Sequence, residues 1–79
     1  MKVNVRYFAA FREATGIASE PVETRAETAA ALFAECANRH PELQRYAASL
    51  VAINDEMAAW EHSLADGDVV LFFPPVAGG

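Results

Sequence analysis

Residues 69–79 read VVLFFPPVAGG. In an extended strand, alternation puts Val70 and Phe72 on one face and Val69, Leu71 and Phe73 on the other. Both faces are apolar. Pro74 and Pro75 then close the strand, because neither has an N–H to give to a sheet ladder. A domain this small, with one main helix, covers one face of its sheet, so half of these side chains are expected near water.

Working outward from that strand, KVNVRYF (residues 2–8) alternates in the same way. Val3, Val5 and Tyr7 share a face, while Asn4, Arg6 and Phe8 share the other. Phe8, on the minority face, has the same exposure problem as Leu71 and Phe73. The three, with Met57, are expected to form one apolar patch, and patches of that kind mark protein partners.

AAFREATG (residues 9–16) predicts a short helix ended by Gly16. Residues 18–24 predict a second strand, placed at an edge by Pro21. The main helix is expected over 28–39, with Thr28 as N-cap and Leu32, Phe33, Cys36 and Ala37 forming an apolar stripe. Pro41 stops it, and PELQRYAA adds a short helical turn. SLVAIN (residues 49–54) predicts a third strand, Asn54 and Asp55 a turn, and Met57 to Trp60 a short return strand. LADGD (residues 64–68) is a tight turn with Gly67 supplying the difficult backbone angle. The fold class is α+β: a mixed sheet with one main helix packed across one face, the β-grasp arrangement. Residues 1–73 form the domain and 74–79 an extended tail.

Composition narrows the function. The 79 residues are 53% hydrophobic, a globular content with room for one small core. Six basic residues stand against eleven acidic ones, for a net charge of −5. The basic residues are scattered, which argues against a nucleic-acid partner. No apolar run approaches the length of a membrane span, and the start of the chain lacks the apolar core of a signal peptide, so a cytoplasmic location is expected. Cys36 is the one cysteine, and no His/Cys cluster predicts a metal site.

The tail offers chemistry of its own. Gly78 and Gly79 have no Cβ and thread passages too narrow for other residues. The Gly79 carboxylate is unhindered, open to activation by adenylation and then to a nucleophile. Pro74 to Gly79 reach at most ~20 Å when extended, enough to enter another protein's pocket. The prolines stiffen the base of this arm and lower the entropy lost on docking.

YFAAFRE after the first strand, VAIND before the hairpin, LADGDVVLFFPP and above all FFPPVAGG at the end carry a family likeness. The chain resembles the small, sulfur-carrying subunit of molybdopterin synthase, a ubiquitin-like β-grasp family, along essentially its whole length. The resemblance implies that an ATP-dependent activating enzyme adenylates Gly79 and that a sulfur donor converts it to a thiocarboxylate. It implies an arm of Pro74, Pro75, Val76, Ala77 and Gly78 that inserts into the large synthase subunit, where sulfur passes to cyclic pyranopterin monophosphate. Phe8, Met57 and Phe73 are then docking residues, in agreement with the patch read from alternation, which also holds Leu71. Two small and two large subunits make the active complex. The chain itself holds no cofactor and no independent active site. Rival functions are a carrier for thiazole or amino-acid sulfur chemistry, a ubiquitin-like protein modifier, and an interaction module with an inert tail.

The remaining polar residues carry less. Cys36 lies on the apolar stripe, where free cysteines are inert. His40 and His62 have no acidic or nucleophilic partner at a telling spacing. Glu20, Glu23 and Glu27 are expected to form a solvated face. Trp60 is expected to pack in the core or against the hairpin.

Overall fold

The computed structural model describes residues 1–45 and 49–74. In chain order these form β1 (Lys2–Tyr7), α1 (Ala10–Thr15), β2 (Ser19–Glu23), α2 (Ala29–Arg39), a 3-10 turn (Pro41–Arg45), β3 (Leu50–Ile53), β4 (Glu56–Ala58) and β5 (Val69–Phe73). The sheet order is β2-β1-β5-β3-β4. β1 and β5 are parallel, with Val5 opposite Val70 and Tyr7 opposite Phe72, and the other pairs are antiparallel. This is the β-grasp arrangement. Pro21 lies in the edge strand β2, as its missing donor requires.

One face of the sheet packs on α2. Val3, Val5, Val22, Val51, Ile53, Val70 and Phe72 meet Ala29, Leu32, Cys36 and Ala37 there, all buried. Phe72 is at the centre. Its ring centroid lies 4.9 Å from Phe33, 5.9 Å from Trp60 and 6.5 Å from Tyr7. Edge-to-face and offset arrangements of this kind add to what area burial alone supplies.

The start of α2 shows why residues 59–63 leave the sheet. Thr28 Oγ1 accepts from the Ala31 N–H at 3.2 Å, as the N-cap expectation requires. The Ala29 and Ala30 N–H groups donate to the carbonyls of His62 and Trp60 at 3.1 and 2.9 Å. The segment thus satisfies helix donors that have no partner of their own. The return strand predicted over Met57 to Trp60 therefore lies earlier, at Glu56–Ala58. Asn54 (φ 52°) and Asp55 (φ 71°) fix that register, since a two-residue turn with both φ positive starts the return strand at once. Asn54 also clamps the next turn: its Oδ1 accepts from the Val69 N–H and its Nδ2 donates to Asp68, each at 2.9 Å.

Ala9 turns the chain from β1 into α1 with φ 52° and ψ −122°, a conformation suited to glycine. The turn closes with the Phe11 N–H on the Phe8 carbonyl at 3.1 Å. Ala9→Gly is expected to raise stability in urea by about 0.5–1 kcal/mol, as relieved strain outweighs added unfolded-state entropy.

Glu20 corrects the sequence expectation of a solvated acidic face. It sits opposite Val5 and turns inward with Val22. Its carboxylate accepts from Tyr7 Oη at 2.7 Å, lies 2.9 Å from His40 Nε2 and pairs with Arg39. His40, expected to lack an acidic partner, has one from the far side of the loop. Burial pushes the Glu20 carboxyl up, but hydrogen bonds from Tyr7 and His40, with the charges of Arg39 and His40, together hold it below the usual carboxylate range. Burial, helped by Cys36 and Glu20, raises the Tyr7 hydroxyl far above its usual range, so it stays a donor.

A carboxyl held low in the folded state stabilises the fold above its unfolded pKa and loses that contribution as pH falls through the folded value. Glu20→Gln is therefore expected to cost about 1–3 kcal/mol at neutral pH. The gap to the wild type should close as urea titrations move below about pH 4. An equal gap at every pH would show that the charge of Glu20 contributes nothing.

Candidate functional site

The sheet face away from α2 carries the candidate patch. Arg6 stands opposite Leu71, Leu71 opposite Ala52, and Ala52 opposite Met57, so one row crosses four strands. Leu50 stands opposite Phe73 in the next row of that face. Phe8 is 59% exposed and Met57 63%. Leu71, Phe73 and Val69 are half-buried. Phe8 and Leu71 line one concavity. Met57 shares the row of Leu71, and Phe73 follows two residues further along β5.

Phe73 is also where the chain leaves the sheet. The Phe8 N–H donates to the Phe72 carbonyl at 3.2 Å, which extends the β1–β5 ladder by one residue toward the tail. Pro74 follows, half-buried. Pro75, Val76, Ala77, Gly78 and Gly79 lie outside the described residues. The buried Phe72 thus fixes the strand from the core side, while Phe73 and Leu71 face the opposite way, beside the point of departure.

Arg12 is the member of this face that strand alternation cannot reveal. It comes from α1, next to the Ala9 turn, and lines the same concavity as Arg6, Phe8, Asp55, Val69 and Leu71. Arg6 was legible as a neighbour of Phe8 on the minority face of β1. Among the described residues neither arginine forms a salt bridge; the ion pairs there engage the N-terminus, Arg39, His40 and Arg45.

Other candidates resolve as structural. Cys36 is fully buried, and burial pushes its thiol up despite a hydrogen bond with Tyr7 that acts the other way. A thiol kept protonated in the core is a poor nucleophile. His62 is exposed and its Nδ1 lies 2.7 Å from the Ser63 carbonyl. Trp60 packs on Phe33 and Phe72, as expected. Among the described residues no group of His, Cys, Asp and Glu is placed to hold a metal. No described helix is long and apolar enough to cross a membrane.

Comparison with known proteins places the chain among relatives of the same length and fold. Molybdopterin synthase sulfur carrier subunits of Escherichia coli K12 and Mycobacterium tuberculosis H37Rv are 35% and 38% identical to the chain, over 98% and 100% of its length and 99% of theirs. A chain of the complex of subunits 1 and 2 of the molybdopterin-converting factor from Helicobacter pylori 26695 superposes with a TM-score of 0.70 at 28% identity, covering 100% of both chains. Small archaeal modifier protein 1 of Haloferax volcanii superposes with a TM-score of 0.84 at 26% identity, over 95% of this chain and 98% of that one. The family model described as the ThiS family matches residues 5–79, from the first strand through the double glycine. With that match and full-length relatives above 30% identity, the chain belongs to the ThiS family.

Proposed function

We propose that the chain is the sulfur carrier subunit of a molybdopterin synthase. The observation that carries this is identity of 34–38% along nearly the whole chain to three relatives that bear that name. The sheet face supports it: exposed Phe8 and Met57, with Leu71 and Phe73, stand on the face away from α2, and Phe73 is the last residue of β5.

On this reading the domain is a protein-sized cosubstrate. The Gly79 carboxylate attacks the α-phosphorus of ATP within an activating enzyme, forming an acyl adenylate and releasing pyrophosphate. A sulfide equivalent then attacks the acyl carbon, AMP leaves, and a thiocarboxylate remains. The arm from Pro74 to Gly78 carries that group into the large subunit, which shields it from water and supplies cationic groups. The sulfur goes to cyclic pyranopterin monophosphate. Phe8, Met57, Leu71 and Phe73 hold the domain against its partner, two small and two large subunits make the complex, and the chemistry takes place in the cytoplasm. The small domain needs no cofactor of its own, since ATP is bound by the activating enzyme.

Intact mass after incubation with activating enzyme, ATP and a sulfur donor tests the carrier role. Exchange of one carboxylate oxygen for sulfur is expected, and deletion of Gly79 should abolish it with the melting temperature unchanged. An isopeptide-linked product would instead mark a protein modifier, and an unchanged mass an inert tail.

Phe8→Asp tests the docking face. Because Phe8 is largely exposed, the variant is expected to fold normally while binding of the large subunit weakens at least about tenfold, as for a hot-spot aromatic. Wild-type affinity in the variant would remove Phe8 from the interface.

A further inference from the structure

The concavity on the outer sheet face has a volume of about 310 Å³. Its lining includes the apolar Phe8, Val69 and Leu71 and two arginines, Arg6 and Arg12. Six basic residues serve the whole chain against eleven acidic ones, so two at one small hollow are a local reversal of the protein's charge. Neither has an ion-pair partner among the described residues. Among the described residues, Asp55 is the one acidic residue that lines the same hollow.

These features constrain whatever covers the face. A partner that buries Phe8 and Leu71 also removes water from Arg6, which stands directly opposite Leu71, and from Arg12. Burying a guanidinium without an acceptor is costly, and Asp55 alone cannot satisfy the ten N–H donors of two arginines. The covering surface must bring its own acceptors. A carboxylate meets the planar fork of arginine with two parallel hydrogen bonds, and an adjacent apolar side chain meets the apolar part of the lining.

We propose that the Arg6–Arg12 hollow receives an apolar side chain flanked by at least one carboxylate on the large synthase subunit, and that the two arginines set the register of docking. This rests on the chain being the synthase's sulfur carrier. Charge complementarity carries the choice of ligand chemistry, and continuity with Phe8 and Leu71 carries the choice of surface. In an acidic protein a positive hollow also steers an acidic counterpart toward itself, while the net negative charge repels it elsewhere.

Calorimetric titration of the full-length protein with the purified large subunit tests this, at low and at physiological salt. Arg6→Ala and Arg12→Ala are each expected to weaken binding about tenfold, and the pair Arg6→Glu with Arg12→Glu by about a hundredfold or more. The salt dependence of the wild type should flatten or reverse in the charge-reversed pair. Melting temperatures should hold, because neither arginine has an ion-pair partner among the described residues. Wild-type affinity in the charge-reversed protein, with the wild type itself binding, overturns the hollow and leaves the carrier role standing. Loss of thiocarboxylation with unchanged affinity for the large subunit overturns the choice of partner. A wild type that does not bind the large subunit at all overturns the carrier role as well.

Discussion

Phe72 is the side chain on which the other features depend. It lies in the central strand, flat against Trp60 and edge-on to Phe33, and its neighbour across the parallel ladder is Tyr7. Each contact ties β5 to a different part of the chain: the loop before the last turn, the main helix and the first strand. With Phe72 pinned inward, strand geometry forces Leu71 and Phe73 outward. The direction in which Pro74 departs is therefore set by the core and not by the tail.

That division separates two demands. The inner face of the sheet is a conventional apolar core and must be closed for a domain of this size to fold. The outer face is left mixed: large apolar groups at Phe8 and Met57, half-covered ones at Leu71 and Phe73, and guanidinium groups at Arg6 and Arg12. An exposed apolar face of this kind risks self-association. The arginines within it, without ion-pair partners among the described residues, make a charge-bearing surface that a second copy of the same chain, meeting it like to like, covers only at a cost.

Much of this was legible in the residue order. Alternation in KVNVRYF and VVLFF gave the inward and outward sets correctly, because a sheet with one covered face enforces period two. Thr28, Pro21, Asn54 and Gly67 each marked a backbone requirement that only a few residue types meet. Glu20 was missed because its partners, Tyr7, Arg39 and His40, come from the preceding strand and from the far end of α2, and no local spacing encodes such a meeting. Residues 59–60 were misassigned for a similar reason, since the donors of α2 recruit that backbone only once the helix has docked. Arg12 escaped notice because a short helix, entered through the strained Ala9, swings it over to the sheet face. The double glycine was plain in the sequence, and the likeness to a known family ran along essentially the whole chain, with FFPPVAGG its most specific part.

The parallel pairing of β1 with β5 has a kinetic consequence. It joins the two ends of the chain, so its closure entropy is lost before the central strand's burial is gained. No subset of consecutive elements holds the sheet together, since removing β5 leaves β1–β2 and β3–β4 as separate hairpins. Folding is thus expected to be slow for the size of the domain and close to all-or-none. A domain built this way does not present its last strand to a partner while half made: until β1 and β5 have met there is no outer face to recognise.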